Sequence, residues 1–202
     1  MAPSRLIIGV AGRPHPAEVV SGDAHTIQWA GDVCRIAVID GLGHGPDAAD
    51  AAGRAVATLE AHPALAPAEA LQRCHAALSG TRGAAISIAS LDLARGEVAY
   101  AGIGNVEAHI WRGCRRERLI VYRGIVGSAM RTVRTFTAPL SLAEEWVFMM
   151  HTDGLSARAD IYAVDLAPPW EPDAVAQALV ERYGRLQDDA LVIVVRPRHA
   201  PG

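Results

Sequence analysis

The expected fold and chemistry follow from the stretch Val38-Ile39-Asp40-Gly41-Leu42-Gly43-His44-Gly45, in which an apolar run ends in an acid and then in glycines. The apolar residues before the acid predict a buried strand, and Pro46 suits the first turn of a helix. The glycines allow backbone angles that other residues avoid. The pattern predicts a strand that ends in one carboxylate, Asp40, beside backbone carbonyls that a hard cation can use. An ordinary tight Asp-Gly loop is the alternative.

Three other stretches place an Asp at the edge of a strand-like segment: Ser21-Gly22-Asp23, His151-Thr152-Asp153-Gly154-Leu155 and Asp188-Asp189-Ala190-Leu191. Taken singly, each acid is also explained as a turn residue or as part of a solvated loop. The acids can converge only if their strands end at one side of the fold. The joint pattern favours that arrangement over several independent turns.

The composition predicts one globular domain, residues 1–202, with a core from about 5 to 196. Half of the 202 residues are hydrophobic, which is enough for a substantial core. The 19 basic and 22 acidic residues nearly balance, so neither nucleic acid nor a membrane is an expected partner. All the basic residues are Arg, and the absence of Lys excludes Schiff-base and Walker-type chemistry.

The cysteines and the N-terminus indicate a soluble, cytoplasmic protein. Cys34, Cys74 and Cys114 are an odd, widely spaced set, which argues against a disulfide framework and against a zinc knuckle. The apolar run 6–10 is too short for a signal peptide core or a membrane span.

Hydrophobic periodicity predicts strands, two helices, further strands, a third helix and a last strand, which is the order of an α+β domain. Strands are predicted at 6–11, 25–30, 33–40, 84–91, 97–101, 106–112, 118–122, 132–137, 146–151 and 190–195. Helices are predicted at 46–62, 68–78 and 172–183, with a loose tail from 196. A turn at Gly31-Asp32 would close a hairpin and place Asp23 near Asp40.

The order of these acidic motifs resembles the PPM family, the metal-dependent protein phosphatases that include the PP2C and SpoIIE types. The Asp-Gly-Leu-Gly-His-Gly form at 40–45 is closest to the SpoIIE-like branch, and the chain is most similar to short members that act on the stressosome. The resemblance runs from Gly22 to Val195. It includes a Gly-x-Gly-Asn turn at 102–105, which alone is usually just a hairpin loop. The resemblance implies a four-layer αββα sandwich of two antiparallel sheets, with a helix pair outside each.

The resemblance also implies two Mn²⁺ or Mg²⁺ ions and the residues that hold them. Asp40 would bridge the ions, while Asp23 and the Gly41 carbonyl complete one site and Asp153 and Asp188 hold the other. Asp40, Asp153 and Asp188 are the expected catalytic acids, because the ions they hold lower the pKa of a water that attacks phosphorus.

Other residues have less definite expected roles. Asp189 is expected beside the ligands, since adjacent carboxylates repel unless a cation offsets them. His44 lies two positions later than the usual PP2C histidine, so it either assists the ions or packs the loop. His151 is expected in the core. Glu18-Val19-Val20 stands where PP2C-type enzymes have a phosphate-binding Arg, and Arg13 is farther from the first acid, so phosphate capture would rest on the ions.

The resemblance implies a serine/threonine protein phosphatase that removes phosphate from phosphoserine and phosphothreonine on STAS-domain proteins of the stressosome. Two other functions stay open. One is a non-catalytic binding module with the same fold. The other is a metallohydrolase for small phosphoesters, which would need a deep apolar pocket with a few polar anchors.

Overall fold

Two five-stranded antiparallel sheets lie face to face in the computed structural model, which describes residues 5–164 and 171–198. The described residues form ten strands and three helices. In chain order these are β1 Leu6–Arg13, β2 Asp23–Ala30, β3 Val33–Gly41, α1 Pro46–Ala61, α2 Pro67–Ala77, β4 Ala84–Asp92, β5 Glu97–Ile103, β6 Glu107–Arg112, β7 Arg115–Arg118, β8 Phe136–Pro139, β9 Val147–His151, α3 Pro172–Tyr183 and β10 Ala190–Pro197. The predicted α+β class is confirmed.

The two sheets have different strand orders. One, called here the β3 sheet, runs β2-β3-β4-β5-β8, and the other, the β10 sheet, runs β1-β10-β9-β6-β7. The first and last strands of the chain pair along their whole length, from Leu6 opposite Pro197 to Arg13 opposite Ala190. The strand predicted at 190–195 therefore continues through Arg196 and Pro197, and the expected tail begins later than predicted. Residues 199–202 lie outside the described residues.

β3 shows why this sequence forms a layered structure. Successive side chains of a strand point to opposite faces, so Ile36 and Val38 enter the core between the sheets while Ala37 and Ile39 face the helices. Both faces are buried, which explains the continuous apolar run. On the other side of the central core, Phe148 of β9 packs from the β10 sheet.

Helices α1 and α2 cover the outer face of the β3 sheet, and Gly41 fixes how closely α1 approaches. A side-chain Cβ at Gly41 would lie 2.2 Å from the backbone carbonyl oxygen of Ala48 in α1. Only glycine leaves room for this crossing, so the end of β3 and the loop after it are held against the start of the helix.

Helix α3 packs on the outer face of the β10 sheet through Val175 and Leu179, which share a buried cluster with Met149 and Val192. The resemblance implied a helix pair on each side. Among residues 5–164 and 171–198 this side has α3 alone, because residues 153–164 form turns and bends. None of the described helices is both long and apolar enough to cross a membrane.

Two strand predictions in the second half were misplaced. The tight turn at Gly113 (φ 52°) returns the chain at once, so β7 is Arg115–Arg118 rather than 118–122. The strand predicted at 132–137 is β8, which starts at Phe136. Val133 is buried in the cluster under α1 and α2, and the Thr135 hydroxyl accepts a 3.2 Å hydrogen bond from the Ala68 amide, so this part of the chain is held near α2.

Candidate active site

The β2–β3 hairpin brings the first two predicted acids together. Asp23, the first residue of β2, lies opposite Asp40 near the end of β3, and the hairpin turn at Gly31 closes the far end. The amide of Gly41 donates a 3.0 Å hydrogen bond to the Gly22 carbonyl, which holds the two strand ends in register. The sequence predicted this juxtaposition, because antiparallel strands joined by a short turn place their outer ends side by side.

The acids of the β10 sheet meet in the same way. Asp153 follows β9, while Asp188 and Asp189 immediately precede the neighbouring antiparallel strand β10. A Cβ at Gly154 would lie 1.7 Å from the carbonyl oxygen of Asp189. Any larger residue would push the two loops apart, so Gly154 holds the Asp153 loop against the Asp188-Asp189 turn.

Thr152 joins the two sheets at this end. Its Oγ1 donates a 2.7 Å hydrogen bond to Asp23 Oδ2 and accepts a 3.0 Å hydrogen bond from the Leu191 amide. The hydroxyl is buried, as the side chain is 1% exposed. The carboxylate from the hairpin is therefore oriented by a residue of the opposite sheet.

Asp40 lies among charged and polar groups from both sheets. The side chains of Asn105 and Asp153 approach its carboxylate and influence its ionisation. Burial, followed by the negative charges of Asp153 and Asp188, raises the pKa of Asp40 to about 7, while the Asn105 hydrogen bond opposes the change. A carboxylate in this environment ionises readily only when a positive charge is near.

The loop that carries Asn105 depends on Gly104. Gly104 has a left-handed φ of 98°, and a Cβ there would lie 2.4 Å from the Cβ of Ala85. Ala85 is the β4 residue directly opposite Asp40. The close approach of Gly104 to Ala85 thus explains how Asn105 reaches the Asp40 carboxylate.

Asp23 and Asp188 are also destabilised as anions. Burial, followed by the charge of Asp40, raises the pKa of Asp23 to about 8. Burial and the charge of Asp153 raise the pKa of Asp188. Several neighbouring carboxylates with raised pKa values form a site that a divalent cation would neutralise, and their oxygens are the ligands that Mg²⁺ and Mn²⁺ prefer. The acidic centre therefore fits the implied ions.

The oxygen atoms of these carboxylates do not converge on a single position. Among the residues that the structure describes, only Glu107, His109 and His151 form a set of three or more possible ligands whose binding atoms all lie within 4.8 Å of one another. A more open acidic centre suits ions that keep several water ligands and span more than one position.

Asp189 has a different environment from its neighbour Asp188. It is 3% exposed, and its Oδ1 and Oδ2 accept hydrogen bonds from the backbone amides of His15 (2.8 Å) and Gly22 (3.0 Å). Both oxygens thus bind the loop between β1 and β2. Asp189 therefore fixes the segment from which Asp23 starts.

His44 turns toward the loop before β2. Its Nδ1 lies 2.7 Å from Glu18 Oε1, and its ring stacks on His15 with 4.6 Å between the ring centroids. More than half of the His44 side chain is exposed. These contacts favour loop packing over assistance to the ions, one of the two roles that the sequence left open. His151, in contrast, is buried, as predicted.

Two arginines lie near the loops of the acidic centre. The Arg13 guanidinium donates to the carbonyl oxygen of Arg185 and is held there. Arg82, which precedes β4, forms a 2.7 Å ion pair with Asp47, and its Nη1 lies 3.0 Å from the position of a Cβ on Gly43. Arg82 therefore stands beside the glycine loop that follows Asp40, with about half of its side chain exposed.

An apolar cavity is found elsewhere, between β5, β7 and β8. Val98, Leu119 and Phe136 are among the residues that line it, and none of the five aspartates does. The arrangement does not match the deep apolar pocket with polar anchors that a small-phosphoester hydrolase would place around its reactive groups.

Sequence reasoning missed three residues of this site. Thr152 was noted only as part of a motif, Asn105 only as a turn residue, and Arg82 not at all. The hydroxyl and amide contacts join segments far apart in the chain, so no local spacing reveals them. The signal available for Asn105 was its place in the Gly-x-Gly-Asn turn.

Comparisons with known proteins agree with this geometry. Residues 30–198 match the family described as Stage II sporulation protein E (SpoIIE). No curated protein is similar enough in sequence to match. A solved structure described as "The bacterial stressosome: a modular system that has been adapted to control secondary messenger signaling" is 30% identical, with a TM-score of 0.88, over 96% of this chain and all of that one.

Two other solved structures share the fold at lower identity. RsbX in complex with magnesium is 21% identical, with a TM-score of 0.84, over 98% of both chains. The PP2C phosphatase domain with a fragment of the regulatory domain of SpoIIE from Bacillus subtilis is 20% identical, with a TM-score of 0.81, over 98% of this chain and 64% of that one. The expected resemblance and the expected two-sheet fold are both confirmed.

Proposed function

The chain belongs to the SpoIIE family of PP2C-type serine/threonine phosphatases, and from this premise we propose that it hydrolyses phosphoserine and phosphothreonine on stressosome proteins. One observation carries the proposal. Aspartates from two sheets lie at one end of the sandwich, where burial and mutual repulsion raise the pKa values of Asp23, Asp40 and Asp188. The repulsion among these carboxylates destabilises the metal-free protein, and bound divalent cations would offset it.

We propose that two Mg²⁺ or Mn²⁺ ions bind here. Asp40 would contact both, Asp23 and the Gly41 carbonyl would hold one, and Asp153 and Asp188 would hold the other. When bound, such ions neutralise phosphoryl oxygens and lower the pKa of a water so that it can attack phosphorus. The carboxylates would keep the ions in place, and the catalytic roles of Asp40, Asp153 and Asp188 would be exerted through this binding.

The surrounding residues would orient the acids. Asn105 hydrogen-bonds to Asp40, and Thr152 donates to Asp23, so both carboxylates are held by neutral donors. Asp189 positions the loop before β2 through its two amide contacts. Arg82 stands beside the glycine loop and supplies a guanidinium that can pair with a phosphate. We therefore revise the expectation that phosphate capture would rest on the ions alone.

The proposed substrates are phosphorylated STAS-domain proteins, and the proposed location is the cytoplasm. The description of the 30% identical structure concerns the bacterial stressosome, and RsbX has the same fold over nearly its whole length. These likenesses support a stressosome substrate, while the open acidic centre suits a phosphorylated side chain on a protein surface.

The test is phosphate release from a phosphoserine STAS-domain protein in Mn²⁺, in Mg²⁺ and in EDTA. We expect release that needs the ion and is lost in Asp40→Asn, with Asp50→Asn on the exposed face of α1 as the matched control. Turnover of a small aryl phosphate without release from the protein would reject the stressosome substrate. Binding of the protein without release by any variant would favour the non-catalytic module.

A further inference from the structure

A second group of possible metal ligands lies on the outer face of the β10 sheet. It consists of Glu107 and His109 on β6 and His151 on β9, called here the histidine cluster. Glu107 is directly opposite His151, and alternate residues of a strand share a face, so the three side chains project from the same side of the sheet. That side is the one covered by α3, since Trp111 and Met149 belong to its buried cluster.

His151 has one ring nitrogen that is buried, unpaired and able to bind a ligand. Its Nδ1 lies 2.9 Å from the carbonyl oxygen of Thr152. A carbonyl only accepts hydrogen bonds, so Nδ1 carries the proton and Nε2 presents a bare lone pair. The side chain is 1% exposed, and Nε2 has no hydrogen-bond partner among the described residues. Metal-binding histidines usually have this arrangement, in which the other ring nitrogen donates to a carbonyl or carboxylate.

His109 and Glu107 complete the set. The Nδ1 of His109 accepts a 3.2 Å hydrogen bond from Arg116 Nε, so the proton of the neutral imidazole lies on Nε2, and an ion bound at Nε2 would replace that proton. Its Nε2 lies 3.1 Å from Glu107 Oε2, and its ring stacks on that of His151 at 5.7 Å. One binding atom from each of the three residues lies within 4.8 Å of the other two.

We propose that Glu107, His109 and His151 bind one borderline transition-metal ion, with Zn²⁺ as the best fit, at a site separate from the acidic centre. Two imidazole nitrogens and one carboxylate are the ligands of many three-residue zinc sites, which keep a fourth position for water. Mg²⁺ and Mn²⁺ favour oxygen ligands, so they would prefer the acidic centre, whereas Zn²⁺ would prefer the histidine cluster. The proposal does not depend on the proposed phosphatase activity.

Two arginines compete with an ion at this site. Arg118 donates a 2.7 Å hydrogen bond to Glu107 Oε1, and Oε2 accepts from the His109 Nε2–H, a contact that a bound ion would replace. Arg116 lies against the His109 ring, with its Nε donating a 3.2 Å hydrogen bond to Nδ1 and its Nη2 at 2.9 Å from Nε2. Arg116 is exposed, and it also contacts the Ala159 carbonyl and the Trp111 ring. An ion at Nε2 would move Arg116 off the His109 ring, while its contacts with Ala159 and Trp111 would keep the guanidinium nearby.

The consequence would reach the acidic centre through the chain. His151 directly precedes Thr152 and Asp153, and its Nδ1 holds the Thr152 carbonyl. An ion bound to Nε2 would fix this ring, and with it the strand end from which Thr152 and Asp153 project.

The test is titration of the full-length Asp40→Asn variant with Co²⁺, followed by visible absorption. Four-coordinate Co²⁺ with nitrogen ligands absorbs strongly, whereas Co²⁺ with six oxygen ligands absorbs weakly, so the acidic centre contributes little signal. We expect one strongly absorbing equivalent that Zn²⁺ displaces. His109→Gln and His151→Gln should each weaken it at least about 10-fold, and His25→Gln on β2 should leave it unchanged.

Arg116→Gln gives a change of opposite sign, which keeps the test decisive if a histidine variant fails to fold. Removing the competing cation should tighten Co²⁺ binding several-fold. Weak absorption alone in Asp40→Asn, or unchanged affinity in both the histidine variants and Arg116→Gln, would overturn the second metal site.

Discussion

Thr152 Oγ1 and Asp23 Oδ2 lie 2.7 Å apart although their residues are 129 positions apart in the chain. The contact joins the loop after β9 to the first residue of β2, and thus one sheet to the other. Because the same hydroxyl accepts a hydrogen bond from Leu191, the geometry of the acidic centre and the packing of the two sheets depend on one side chain.

Replacing Thr152 with Val should therefore affect both stability and metal affinity. The variant keeps the shape but loses the donor to Asp23 and leaves the buried Leu191 amide without a partner, at a cost of about 1–3 kcal/mol in the free energy of unfolding. Metal affinity should fall about 10–100-fold. Urea unfolding and calorimetric titration with Mn²⁺ measure the two effects. Thr152→Ser keeps the hydroxyl and should restore both, and a Thr152→Val protein with unchanged affinity would contradict this role.

Asn105→Ala should lower activity without removing it. The amide hydrogen bond orients Asp40 and favours its ionised form, so its loss should reduce kcat about 10-fold and raise the Mn²⁺ concentration needed for half-maximal rate. Phosphate release across a Mn²⁺ series separates these effects. If excess Mn²⁺ restores the full rate, Asn105 serves metal binding alone; an unchanged Mn²⁺ dependence would refute its action through Asp40.

The stability of the metal-free protein should fall as the pH rises. Asp23 and Asp40 have folded pKa values of about 8 and about 7, above the ordinary value of 3.8, so between pH 4 and 8 the folded state binds more protons than the unfolded state. Stability is then greatest below pH 4 as far as these groups are concerned, and it decreases up to pH 8. In EDTA, Tm should drop by several degrees from pH 5 to 8, since about 1 kcal/mol shifts it by about 2–4 °C.

The matched variant for this pH dependence is Asp40→Asn, which removes one of the titrating groups. Its Tm should depend less on pH, and at pH 8 in EDTA it should exceed that of the parent protein. Added Mg²⁺ should raise the Tm of the parent more at pH 8 than at pH 5. A Tm in EDTA that rises between these pH values would contradict the electrostatic description of the site.

Arg82→Ala should weaken substrate capture. A guanidinium that pairs with the incoming phosphate contributes about 1.5–3 kcal/mol, so KM for the phosphoprotein should rise about 10-fold or more while kcat changes less. Arg54→Ala, at another exposed arginine paired with an aspartate on α1, is the control. Steady-state kinetics decide the question, because a fall in kcat with an unchanged KM would place Arg82 outside phosphate capture.

The elements that could be predicted from the sequence are those fixed by local pattern. Periodicity located the strand that carries Asp40 and the strand that Asp153 follows, and the Gly31-Asp32 turn fixed the register of the first hairpin. Each of these needs only neighbouring residues, so the paired positions of Asp23 and Asp40 followed directly. The stacking of the sheets came from the family resemblance, since no local pattern determines it.

Contacts made by unremarkable residues could not be predicted. Arg115–Arg118 forms a strand because the Gly113 turn and pairing with β6 outweigh its high polarity. Asn105 reaches Asp40 only because Gly104 packs closely on Ala85. The Arg82 position depends on how the loop before β4 approaches the glycine loop. In all three cases tertiary packing determines the position of the residue, and the local sequence pattern does not indicate it.

The pairing of β1 with β10 also determines how this fold can be extended. Arg13 and Ala190 lie near the acids, whereas Leu6 and Pro197 lie at the opposite end, where Arg5 contacts Asp32 in the hairpin turn. Both ends of the described chain thus leave the sandwich away from the aspartates. A domain fused at either end would therefore start on the side of the sandwich opposite the acidic centre.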